Sequence, residues 1–260
     1  MIGKLHFLFV LCLMFWLCIC SAEENFIVIN AASERVICEL GSHVSDRMTP
    51  CSTFKIALSL MGYDLSLLKD ELCPTLDFQE GYDDYLASWK TPQNPKSWMH
   101  SSCIWYSKEI ASKLGPETIK SYLTSFDYGN QDISENLLPI EKTNPVWVNG
   151  SLKISPKEQA RFIQKMVKEE LPISKHAIEM TKAILFKEEL PRGEKLFGKT
   201  GWSGSVKPDS NAFEAGWFVG WVEKDHFFYP FAYLICEPKI ALEQRILRVK
   251  QLLKESGVVD

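Results

Sequence analysis

The sequence predicts an α+β fold: an antiparallel sheet assembled from both ends of the chain and flanked by terminal helices, with a helical lobe inserted between. Three observations carry this. Short apolar, β-branched runs at 26–29 and 35–39 flank the turn-prone Asn30-Ala31-Ala32-Ser33, which predicts a hairpin. Over Thr53 to Met61, Trp105 to Leu114, Glu117 to Phe126, Pro156 to Glu170 and Lys175 to Phe186 the apolar residues recur at helical spacing, whereas residues from about 74 to 98 read as loops with short helical turns. After residue 190 the pattern changes to aromatic and β-branched runs, Leu196 to Thr200, Phe213 to Val222 and Phe228 to Cys236, separated by Gly, Pro, Asp and Lys.

In chain order, Leu5 to Cys20 is an apolar run behind Lys4, followed by Ser21 and Ala22 and the acidic Glu23 and Glu24. This is the grammar of an export signal over residues 1–22, cleaved after Ala22, so a secreted or periplasmic mature chain and no stable membrane anchor are expected. Residues 23–260 then form one catalytic domain, with a sheet lobe at about 23–50 and 190–260 and a helical lobe at about 51–189. Helices are expected over Thr53 to Met61, Trp105 to Leu114, Glu117 to Phe126, Pro156 to Glu170, Lys175 to Phe186 and Ile240 to Ser256. Ser155 before Pro156 is a serine cap with proline at the first helical position. Ser52 is placed at the N-cap or first turn of its helix.

Twenty-nine Lys and Arg against 33 Asp and Glu leave a formal charge of −4, and no basic block occurs. That argues against nucleic acid and anionic membranes as partners and favours a small-molecule substrate in the cleft between lobes. The mature chain keeps Cys38, Cys51, Cys73, Cys103 and Cys236 without any metal-ligand spacing. No metal is expected, buried free thiols are favoured, and a Cys38–Cys51 disulfide stays open. The histidines lie in unrelated contexts, so a Ser-His-Asp triad is not expected, and Asp83 and Asp84 are read as a solvated face.

Ser52-Thr53-Phe54-Lys55 sets a hydroxyl and an amine three residues apart, on one helix face. Serine becomes nucleophilic when a neighbouring base takes its proton, and desolvated lysine is such a base. A Ser-x-x-Lys match arises about once by chance in such a chain. Ser66-Leu67-Leu68-Lys69 is read as such a coincidence. What distinguishes Ser52 is Lys199-Thr200-Gly201 on a predicted edge strand, where the lysine supplies charge for a substrate carboxylate and glycine lets substrate lie against backbone. The pair is the signature of penicillin-interacting serine enzymes.

The pattern becomes more specific in Pro50-Cys51-Ser52-Thr53-Phe54-Lys55, Ser102-Cys103-Ile104, Tyr128-Gly129-Asn130, Trp147-Val148-Asn149-Gly150 and Lys199-Thr200-Gly201-Trp202. In that order these segments resemble the class D (oxacillinase-type) serine β-lactamases over nearly all of the mature chain. The resemblance implies a serine β-lactamase/transpeptidase-like fold. It implies hydrolysis of the β-lactam ring of penicillin-type antibiotics through a Ser52 acyl-enzyme, conferring antibiotic resistance.

It further implies Lys55 as general base, modified by carbon dioxide or bicarbonate to N6-carboxylysine, with Trp147 packed against it. Ser102 would be the proton-relay serine acting with Lys199, Ser101 being the competing candidate. Thr200, Gly201, Trp202 and Arg245 would bind substrate, and Tyr128 and Asn130 would be supporting residues. Backbone N–H groups of Ser52 and Trp202 would hold the oxyanion. Cys51, Cys103 and Ile104 depart from the commonest family pattern. Two alternatives share these motifs, a penicillin-binding transpeptidase or carboxypeptidase and a β-lactam sensor domain that stays acylated. Pairing of two copies into a homodimer stays open.

Overall fold

The structure, a computed structural model, describes residues 23–135, 144–204 and 213–260. The proposed signal segment, residues 1–22, lies outside them, as does most of the 202–214 loop. The chain opens with β1 (Glu23–Ile29) and β2 (Val36–Leu40), which pair antiparallel as expected, Phe26 facing Leu40. A 3-10 turn (Cys51–Phe54) runs directly into α1 (Lys55–Asp64). Then come α2 (Pro95–Ser101), α3 (Ile104–Leu114), α4 (Pro116–Phe126), the short α5 (Val146–Asn149), α6 (Pro156–Val167) and α7 (Lys175–Leu185). The chain closes with β3 (Phe186–Glu189), β4 (Lys195–Trp202), β5 (Glu214–Lys224), β6 (Phe227–Glu237) and α8 (Gln244–Glu255). The sheet order is β2-β1-β6-β5-β4-β3, so the two chain termini share one six-stranded antiparallel sheet.

Side chains of a strand alternate between faces, and here both faces are covered. Ile27, Ile29, Trp217, Val219 and Trp221 belong to the main core with α1, α6 and α7. Phe26, Val28, Phe218, Val222 and Phe231 face Val249, Leu252 and Leu253 of α8. Phe197 stacks on Trp221 at 4.5 Å and 5°, a pair contributing about 1 kcal/mol beyond its burial.

Three boundaries differ by several residues or change element type. Phe186 does not end α7 but opens β3, pairing with Phe197 and meeting its ring edge-on at 5.4 Å, so the sheet lobe starts before residue 190. The last helix starts at Gln244, because the Ile240 N–H donates instead to the Glu214 carboxylate at 3.0 Å. The helix begun at Pro156 ends at Val167, where Glu169 turns left-handed with φ +59°. Ser155 caps that helix as expected, accepting from the Glu158 N–H while the Glu158 side chain accepts from the Ser155 N–H. Of the two positions expected for Ser52 the structure shows the first turn rather than the cap, since it lies inside the 3-10 turn whose N-cap is Pro50. Among the described residues Cys38, Cys51, Cys73, Cys103 and Cys236 are free thiols, so Cys38 and Cys51 are not bridged.

Candidate active site

Trp217 Nε1 donates to the Thr49 carbonyl at 2.9 Å, tying the sheet to the segment before the nucleophile. The turn that follows is unusual. Cys51 is held at φ +53°, a left-handed conformation costing a non-glycine residue about 1–3 kcal/mol. Its surroundings over-determine it: the Cys51 side chain is fully buried, with Sγ 3.4 Å from the Thr49 carbonyl. Thr53 Oγ1 donates to the Pro50 carbonyl at 2.6 Å and accepts from Gln159 Nε2 at 2.7 Å. Burial pushes the Cys51 thiol up to about 12, so it stays protonated and is no rival nucleophile.

The turn presents Ser52 to a cavity of about 770 Å³ whose wall also includes Ser101, Ser102, Ile104, Thr200, Gly201, Trp202 and Arg245. Lys55, first residue of α1, is fully buried, and its Nζ donates to Ser52 Oγ at 3.3 Å. Desolvation lowers its pKa to about 8, against which the charges around Cys103, Cys51 and Asp83 act weakly. The second Ser-x-x-Lys copy is elsewhere: Ser66 sits in the turn after α1 with φ +58°.

Phe54 is sandwiched between Trp147 at 5.2 Å and Tyr128 at 5.7 Å between ring centroids. Trp147 stands on α5, which packs against the nucleophile turn, and its buried Nε1 has no hydrogen-bond partner among the described residues. A buried donor left unpaired costs about 1–3 kcal/mol. A fully buried amine of lowered pKa, with an orphaned indole N–H on the short helix packed against its turn, fits a carbamate on Lys55, which needs a neutral amine to form and a donor to hold it.

Asn130 does not line the cavity. Its Nδ2 donates to the Ser151 carbonyl at 2.7 Å and its Oδ1 accepts from the Lys153 N–H at 2.9 Å. It therefore clasps the segment behind Trp147, which Ile154 fastens to Met48 by paired backbone bonds.

Between the two relay candidates, Ser101 is engaged, its Oγ donating to Gln93 Oε1 at 3.2 Å and its carbonyl accepting from Trp89 Nε1. Ser102 is set in the left-handed region at φ +61°, and no hydrogen bond holds its hydroxyl among the described residues. Cys103, next to it, is fully buried with its thiol pushed up to about 12 by burial.

β3 reaches along β4 only to Phe197, so β4 from Lys199 to Trp202 pairs with β5 on one side and faces the nucleophile turn on the other. Gly201 is required there: a Cβ at this position would lie 3.1 Å from the Pro50 carbonyl and 3.3 Å from Cys51 Cβ. Lys199 departs from expectation. It is 1% exposed, its Nζ donates to the Thr200 carbonyl at 2.9 Å, and desolvation followed by the charge of Lys55 pushes its pKa well below the usual lysine range. The cationic charge in the wall is instead that of Arg245, whose guanidinium bonds the Gly201 and Trp217 carbonyls and whose pKa, lowered by burial to about 10, leaves it charged.

Two residues escaped the sequence reading. Asp83 is no solvated carboxylate but 14% exposed, paired with Lys108 at 2.8 Å and part of the cavity wall. Glu214 is 5% exposed and accepts from Trp202 Nε1 at 3.0 Å. Nothing local in the sequence marks either one, because both partners are remote in the chain.

A strained nucleophile turn, a serine and lysine in contact and a Lys-Thr-Gly strand across a cavity define a serine enzyme of the acyl-transferring, penicillin-interacting class. Residues 27–254 match the penicillin binding protein transpeptidase domain family. Within that class the chain belongs to the class D β-lactamases. It is 35% identical over 203 residues to β-lactamase OXA-1 of Escherichia coli, covering 78% of this chain and 71% of the relative. It is 32% identical to the probable β-lactamase YbxI of Bacillus subtilis, covering 81% and 73%. The crystal structure of the class D β-lactamase OXA-427 superposes with a TM-score of 0.80 at 33% identity, over 89% of this chain and 97% of that one. A class D β-lactamase from Sebaldella termitidis gives 0.80 at 28% identity, over 92% and 93%.

Proposed function

We propose that this protein hydrolyses the β-lactam ring of penicillin-type antibiotics through a Ser52 acyl-enzyme, and so confers resistance. The observation that carries it is the buried Lys55 amine, lowered to about 8 and 3.3 Å from Ser52 Oγ, beneath a cavity walled by Thr200, Gly201, Trp202 and Arg245. Arg245 attracts the substrate carboxylate, and the Lys199-to-Trp202 edge lays the lactam beside Ser52. The base at Lys55 takes the Ser52 proton as Oγ bonds to the lactam carbonyl carbon. Backbone N–H groups of Ser52 and Trp202 receive the oxyanion. Its collapse breaks the carbon–nitrogen bond, and the proton taken from Ser52 passes from Lys55 through the relay of Ser102 with the desolvated Lys199 to the leaving nitrogen, which returns Lys55 to its basic form. Lys55 then deprotonates the water that attacks the ester, and that proton returns to Ser52 Oγ as the acyl group leaves.

Carbon dioxide added to Lys55 Nζ would supply, as a carbamate, an anionic oxygen base in place of the amine, and the unpaired Trp147 Nε1 is the donor we assign to hold it. We further propose export to the periplasm, with residues 1–22 as the signal. Its support is the apolar run Leu5 to Cys20 behind Lys4, followed by Ser21 and Ala22. Among the described residues no helix is long and apolar enough to cross a membrane.

Residues 23–260 are to be assayed on a chromogenic cephalosporin and an isoxazolyl penicillin, with and without bicarbonate, beside Ser52→Ala. Bicarbonate-sensitive turnover lost in the variant is the expected result. Covalent labelling of Ser52 without turnover would overturn hydrolysis in favour of a transpeptidase or a sensor.

A further inference from the structure

We propose that Glu214 is a positioning residue for recognition of the substrate carboxylate, acting by joining the cavity strand to the segment that carries Arg245. One oxygen, Oε2, accepts two hydrogen bonds, from Trp202 Nε1 at 3.0 Å and from the Ile240 backbone N–H at 3.0 Å. Trp202 ends β4 and forms part of the cavity wall, whereas Ile240 belongs to the link between β6 and α8. Among the described residues this carboxylate is the hydrogen-bond partner that ties the Trp202 indole to the α8 side.

The link matters because Arg245 is the second residue of α8 and approaches the cavity from behind the sheet. Its stem passes over Gly216, where a Cβ would lie 3.1 Å from Arg245 Cδ and 2.8 Å from Ile240 Cδ1. Its Nε donates to the Leu242 carbonyl at 2.9 Å, so the 240–242 link itself orients the guanidinium. Releasing Ile240 therefore loosens Arg245 and Trp202 together, at the end of the cavity that holds the carboxylate. The Ser52–Lys55 pair, on the far side of β4, is untouched.

This inference rests on the β-lactamase reading, so wild-type enzyme is first shown to be acylated at Ser52 by a penicillin; failure there removes that reading, not this one alone. KM and kcat are then measured for a penicillin and for its methyl ester, which lacks the anion. Glu214→Ala is expected to raise KM for the free acid about tenfold, the cost of losing one good hydrogen-bonded contact. KM for the ester and kcat for both should change less than twofold. Glu214→Gln, which keeps an acceptor oxygen, should restore most of the loss. Trp202→Phe, which removes the indole N–H from the other end, should reproduce part of the defect in a separate background. Combined with Arg245→Ala, Glu214→Ala should add little. An equal loss on acid and ester, a fall in kcat alone, or a drop in Tm with unchanged discrimination would overturn the proposal.

Discussion

Lys55 owes its chemistry to a contest between burial and charge. Burial favours the neutral amine and brings its pKa to about 8, leaving about a tenth of the unmodified amine neutral at pH 7 and about nine tenths at pH 9. Carbon dioxide adds only to the neutral form, so half-saturating bicarbonate for turnover should fall as pH rises from 7 to 9. A bicarbonate requirement that is flat or increases over that range would contradict this assignment. Asp83 pulls the other way, as its negative charge raises the Lys55 pKa. Asp83→Asn should lower that pKa and hence the bicarbonate needed at pH 7. Trp147→Phe keeps the ring against Phe54 but removes the orphaned donor, so it should raise the bicarbonate requirement at least tenfold. Labelled carbon dioxide, followed by carbon-13 NMR, reads occupancy directly in each variant.

At the scale of elements, the nucleophile turn is governed by contacts rather than by local preference. Cys51 takes a conformation suited to glycine, and Ser52 reaches the cavity because Thr53, Gln159 and the Gly201 strand confine the turn. Gly201→Val should abolish acylation while leaving the sheet intact, since the added side chain meets backbone at Pro50. Mass spectrometry of the penicillin adduct beside the circular dichroism spectrum separates those two effects. Most elements were legible in the sequence. Hairpin, meander and amphipathic helices follow from residue spacing, and the Ser155 cap from two adjacent letters. The failures share one cause: Phe186 and Ile240 are drawn out of helix by partners at Phe197 and Glu214, which helical spacing does not reveal.

In the whole molecule the sheet joins the chain's ends and the helical lobe supplies the base, so activity depends on how the two lobes are held. Trp217 is one fastening, buried in the main core with its Nε1 on the Thr49 carbonyl. Trp217→Phe should cost about 1 kcal/mol, or roughly 2–4 °C in Tm, read by calorimetry. Its effect on acylation should exceed that of an equally destabilising change on the α8 face, such as Val249→Ala, because only Trp217 touches the nucleophile segment.

From sequence alone came the fold class, the serine and lysine one helical turn apart, the Lys-Thr-Gly strand and the residue types of a class D site. Those features are local, written within a few residues by helical period, strand alternation and turn chemistry. Tertiary structure decided that Lys199 is buried and its pKa pushed down, that Arg245 supplies the charge in the cavity wall, that Trp147 offers an unpaired donor, that Asp83 is paired inside the wall, and that Glu214 joins Trp202 to the approach of α8. Burial, pKa and hydrogen-bond satisfaction depend on which remote residues pack together, and spacing along the chain does not encode that.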